Sequence, residues 1–124
     1  MSAVVTNAGL AAIADLLSAF DYIAVGTGTT AAGVTDTTLE TEIVDSGLAR
    51  AQNASPTRET TAITNDTAVA DVTFTVTGTK AVTEVGLFDA GAAGNMLCRE
   101  VISAINVITG YTLIMTVKVQ SVRP

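Results

Sequence analysis

The stretch "YIAVGTGTTAAGVTDTTLETE", residues 22–42, sets Gly26, Thr27 and Gly28 directly behind an apolar run, the arrangement that opens phosphate-cradling loops. A dinucleotide fingerprint requires GxGxxG between a strand and a helix, and a P-loop requires GxxxxGK[ST]. Position 31 is alanine and no lysine follows, so both patterns fail. The residues that come next, "AAGVTDTT", do not start a helix of the needed length. The stretch reads as a turn leaving a strand, and a nucleotide site is not expected.

Other chemistry is thinly supplied. Histidine is absent, which removes Ser-His-Asp and Cys-His nucleophilic systems and the usual zinc ligands. Ser-Lys chemistry would rest on Lys80 or Lys118, both at exposed-looking strand or turn positions. Three carboxylate pairs lie close in sequence: Glu40 with Glu42, Asp66 with Asp71, and Glu84 with Asp89. Each flanks a turn or a solvent face, where carboxylates are ordinarily just solvated, so no acid–base pair is expected. "TNDTAVAD" offers oxygen ligands but lacks the spacing and glycine of a calcium loop. Cys98 is the only cysteine, which rules out an intramolecular disulfide; inside "NMLCREVI" it reads as a small buried hydrophobe. The expectation is a protein with no catalytic residue, no cofactor and no metal site.

The net charge is −6, with two lysines, four arginines and no basic run. This weighs against binding nucleic-acid phosphates or an anionic membrane surface. The N-terminus lacks the basic start and small-residue cleavage site of a signal peptide. Its apolar stretch is interrupted by Asp15 and is too short to span a bilayer, so synthesis in the cytoplasm is expected.

The elements follow from periodicity. In "TNAGLAAIADLLSAF", Leu10, Ile13, Leu17 and Phe20 recur at three- and four-residue spacing with Leu16 beside them, predicting a helix over about 7–20 capped by Thr6 or Asn7. The remainder alternates with period two and contains 21 threonines, many beside valine, residues that suit a pleated, half-buried surface. "VTFTVTGT" and "TKAVTEVGLFDA", separated by a short Gly78-containing turn, read as a hairpin. "AGAAGN" turns into "MLCREVIS", and "YTLIMTVKVQSV" places Tyr111, Leu113, Met115, Val117 and Val119 on one face. Between 44 and 70 the signal weakens to three candidate strands, "GLARAQ", "RETTAIT" and "DTAVADV". The sum is mainly β, an antiparallel β-sandwich or jelly-roll-like sheet pair of about seven strands over 21–122 behind one N-terminal α-helix, all in a single domain over 1–124. Sugar stacking on exposed rings would fall to Tyr22 or Phe88, since Phe74 and Tyr111 fall on apparent core faces.

The order "NAGLAAIADLL", "GTGTT…TDTTLETE", "GLARA", "TEVGLFDA", "MLCREVI", "NVITGYTLIMTVKVQ" resembles small virion structural proteins of tailed viruses, which recur as capsid decoration modules and in tail-fibre or tail-collar proteins. The resemblance covers the whole chain and carries no catalytic residue. It implies a β-rich module that oligomerises and coats or extends a virus particle, made in the host cytoplasm and located in the virion. Because the last strand is followed directly by Pro124, with no shaft or receptor-binding tip, the favoured expectation is a capsid decoration (cement) protein, a homotrimer bound to the major capsid protein or other virion proteins. The alternative is a tail-fibre, collar, neck or baseplate component, or a carbohydrate- or host-binding β module. The expected subunit contacts lie in residues 1–6 and 27–46, polar or small-residue segments outside the core pattern, with Val4, Val5, Thr27, Thr29, Thr30, Val34 and Thr37 as the candidates. Leu39 and Ile43 are expected to pin the returning end of the loop to the body.

Overall fold

The computed structural model describes residues 3–123, so the expected contacts at residues 1 and 2 lie outside the described residues. It opens with α1 (Asn7–Leu17), followed by β1 (Tyr22–Gly26), β2 (Ala51–Gln52), β3 (Thr57–Glu59), β4 (Thr67–Thr75), β5 (Lys80–Phe88), β6 (Met96–Val107) and β7 (Thr112–Gln120). Two antiparallel sheets result, one in the order β2-β1-β5-β6 and the other β3-β4-β7. The strand alternation explains their packing. Val72 and Phe74 from β4, with Val76 just past its end, meet Ile23, Val25, Val85 and Leu87 from the other sheet in a buried aliphatic core.

Thr6 caps α1, its hydroxyl accepting the Gly9 N–H at 3.0 Å. The helix stops at Leu17, short of the expected 20, because Ser18, Ala19 and Phe20 donate their N–H groups to carbonyls three residues back and tighten the chain into turns. Its buried contacts are Leu10 and Ala14, while Ile13 and Leu16 are exposed, so the docked stripe is narrower than the periodicity implied. α1 lies against β4 and β7.

The expected hairpin between 72–77 and 80–87 does not form. β4 and β5 belong to different sheets, and the link between them crosses the sandwich. The Val76 N–H bonds the Tyr111 carbonyl and the Thr77 N–H bonds the Ser46 carbonyl, so neither closes a two-strand turn. Both strands present their apolar rows to the same core, which a crossing satisfies and a flat hairpin would not. "DTAVADV" and "VTFTVT" merge into the single strand β4; of the other two weak segments only Ala51 and Gln52, and Arg58 and Glu59 preceded by Thr57, pair. Tyr111, expected inward, stands half-exposed in the β6–β7 turn, whereas Phe88 is buried and unavailable for sugar stacking.

Candidate functional site

The feature that organises the surface of this molecule is a carboxylate the alternation pattern assigned to solvent. Tyr22, Ala24 and Gly26 on β1 pair with Phe88, Gly86 and Glu84 on β5, and this row faces away from the sandwich core. Residues 27–41 fold back over that outer face. The neck is closed by backbone bonds from the Thr27 N–H to the Thr41 carbonyl and from the Ile43 N–H to the Val25 carbonyl, with an antiparallel bridge between Gly26 and Glu42. A compact excursion with adjoining ends is an Ω-loop.

Glu84 has no solvent exposure. Its Oε2 accepts the N–H groups of Gly28 and Thr41, both at 2.8 Å, and its Oε1 accepts the Glu40 N–H at 2.9 Å and the Arg99 Nε–H at 2.9 Å. Burial works against the charge of Glu84, but the Arg99 guanidinium and the N–H groups of Thr41, Glu40 and Gly28 outweigh it and hold the carboxyl below its ordinary range. A Cβ at Gly26 or Gly28 would land on Glu84 itself, so glycine at both positions is what lets the backbone reach the carboxylate. The Gly-Thr-Gly turn does cradle an oxyanion; the oxyanion is the protein's own.

Arg99, on β6, distributes the clamp. Besides Glu84 it donates from Nη2 to the Thr30 carbonyl at 2.8 Å and from Nη1 to Asp36 at 3.0 Å, and only 4% of its side chain is exposed. Asp36 in turn accepts the Gly33 N–H at 2.9 Å, and that bond with Arg99 lowers its pKa. Glu40 accepts the N–H groups of Thr29 and Thr30 at 2.9 and 3.2 Å, and its carboxyl titrates low on account of Thr30 and Thr29. Leu39 packs on Ala24 and Phe88, and Ile43 enters the main core, as expected of the two anchors. At the returning end Arg50 pairs with Glu42 at 2.7 Å, stacks 3.7 Å over the Phe88 ring and donates to the Ala90 and Ala93 carbonyls.

The expectation that the carboxylates paired by sequence proximity are simply solvated fails at Glu84. Asp66 is also fully buried rather than solvated. Burial opposes its charge, yet the N–H groups of Thr61, Ile63 and Ala62 and the Gln120 amide overcome this and hold it well below the usual carboxylate range. These donors occupy the oxygens that a calcium loop would need free. Asp89 accepts from the Asn95 backbone and side chain and closes the β5–β6 turn. Cys98 is half-buried against the core, and burial pushes its thiol up. Among the described residues, no helix is long and apolar enough to cross a membrane.

The sequence-derived contact residues are all exposed: Val4 at 82%, Val34 with its side chain free of neighbours, Val5, Thr27, Thr29, Thr30 and Thr37. The structure does not gather them into one site. Val4 and Val5 precede α1, beside the three-stranded sheet, whereas the other five ride on the excursion over the four-stranded one. The sequence reading placed Glu84 among solvated carboxylates, whereas it is buried, and passed over Arg99. The available signal was a lone charge inside the apolar run "AVTEVGLF", in a chain that also holds a glycine-spaced loop with no ligand.

A family model described as podophage GP4 fiber I protein gp80 matches residues 5–122. No curated protein matches the chain. The match spans nearly the whole sequence, and the chain belongs to this family: it is a small structural protein of tailed-phage virions, and the virion is its location.

Proposed function

We propose, from that membership, that the chain is a fibre or other tail component of the particle and acts through its surfaces rather than by catalysis. The observation that carries the reading is the fibre description of the family matched over residues 5–122. The cement role expected from chain size has no comparable support, and the tail alternative fits better. The partners are neighbouring virion proteins, with further copies of the chain, a trimer in the simplest arrangement, among them.

The surface offered is the excursion with Thr27, Thr29, Thr30, Val34 and Thr37, and separately Val4 and Val5 ahead of α1. Binding that must first order a loop forfeits part of its affinity, and a loop already fixed in shape does not. The Glu84–Arg99 clamp supplies that fixing, leaving Val34 and a row of threonine hydroxyls displayed on a rigid backbone. The non-enzymatic reading is supported by Glu84 and Asp66, whose oxygens are engaged by N–H donors, leaving neither poised to move a proton.

Gold-labelled antibody against the chain, applied to intact particles, tests the location. Label confined to the tail is the expected result. Label spread over the shell in hundreds of copies would return the assignment to a cement protein.

A further inference from the structure

We propose that the open side of the sandwich, between β6 and β7, is a strand-pairing surface on which copies of this chain join head to tail, β6 of one copy against β7 of the next. The inference is independent of where on the particle the chain sits. β6 ends one sheet and β7 ends the other, so among the described residues each presents a row of backbone groups with no partner strand. They are twelve and nine residues long. Exposed edges of that length are ordinarily blunted by charges, proline or a covering segment. Here the sequence from Val101 to Val122 carries a single charge, Lys118, and no proline. Against this, the first half of β6 holds Arg99 and Glu100, and its register with β5 is irregular at two places, between Val82 and Glu84 and between Leu87 and Phe88.

The core beneath these edges is incompletely covered. Cys98, Ile102, Met115, Val117 and Val119 are only half-buried, and with Val85 they line a groove of about 540 Å³. The apolar surface continues around the β6–β7 turn through Ile105, Ile108, Tyr111 and Ile114, which are 37–62% exposed. An apolar band of this kind marks an interaction surface.

Charge identifies the occupant. With a net charge of −6, two copies repel one another over most of their faces. The groove carries one exposed charge of each sign, Glu100 from β6 and Lys118 from β7, beside the already paired Arg99. Head-to-tail pairing brings Glu100 of one copy toward Lys118 of the next. Pairing β6 on β6, or β7 on β7, would set like charges against each other. Lys118 meets Glu59 at 2.8 Å on its own sheet but keeps 54% of its side chain exposed, room enough for a second carboxylate. A chain with one long free edge in each sheet also matches itself, because a closed ring of heterologous contacts uses both edges. A foreign strand added to one edge would leave the other bare.

Light scattering of the full chain, with circular dichroism to verify folding, is the test. Wild type is expected at a multiple of 12.6 kDa. Ile114→Lys and Glu100→Lys are each expected to weaken association by about tenfold or more. Glu100→Lys combined with Lys118→Glu is expected to recover it, since the exchange restores opposite charges wherever β6 of one copy meets β7 of another, and not where β6 meets β6 or β7 meets β7. Should Glu100→Lys lose the β spectrum, Ala104→Lys at an exposed position of the β6 edge takes its place as the disrupting variant. A chain that stays at 12.6 kDa at all concentrations, single variants that associate like wild type, or a folded double variant that fails to recover would each overturn the proposal.

Discussion

Glu84 governs how the outer face of this protein is built. A carboxylate without solvent exposure must be matched by donors, and three backbone N–H groups and Arg99 supply them. Removing the charge leaves Arg99 buried with Asp36 alone, so Glu84→Gln should destabilise the fold by about 3 kcal/mol, the lower end for a broken buried pair because Asp36 remains. Urea denaturation of the two proteins measures this. The pH dependence has a definite sign. Glu84 titrates lower in the folded chain than its ordinary 4.5, and Asp66 lower than 3.8, so both contribute fully above those values and lose their contribution as the pH falls through the depressed folded ones. Wild type should therefore lose stability on acidification below about pH 4.5, and Glu84→Gln should show a shallower slope over the same range, readable from melting midpoints between pH 7 and 3. Sequence alternation cannot reveal such a residue. A charge in a strand marks the solvent face unless something distant covers it, and the cover here begins 56 positions away at Gly28.

At the scale of elements, the excursion 27–41 is held at both ends by the Glu84 clamp, through Gly28 on the outgoing limb and Glu40 and Thr41 on the returning one, with Leu39 and Arg50 reinforcing the return. Leu39→Ala should cost about 2–3 kcal/mol and make the excursion cleavable by protease while the two-sheet core persists. Gly28→Ala should have a similar outcome by a different route, pushing its new methyl into the carboxylate. Limited proteolysis with mass mapping separates these results from global unfolding, which would yield cuts throughout β4–β7. The two anchors were legible because Leu39 and Ile43 are the apolar residues on the returning limb of an otherwise polar loop. The β4–β5 crossing was not legible. Two alternating runs around a short glycine-containing link look alike whether they pair or face one another, and the deciding bonds, to Ser46 and Tyr111, come from distant segments. The helix existed where its periodicity placed it, but its last turn depends on local hydrogen bonding that side-chain spacing does not record.

For the whole molecule, the mainly β class followed from β-branched alternation, whereas the partition of strands into two sheets did not. Strands as short as β2 and β3 have no pattern of their own and exist because β1 and β4 offer them edges. The resulting body has a rigid loop on one sheet, a helix against the other and bare edges on one side, an arrangement suited to making several contacts at once. On the proposed function, this chain lies in the tail of a phage particle and meets another virion protein through residues 27–41. An electron-microscopy map of the intact particle tests it most directly. Density for this fold is expected in a tail appendage, with Thr29, Thr30, Val34 and Thr37 against a neighbouring chain. A map that places the fold on the capsid shell, or that leaves the excursion facing open solvent, would contradict it.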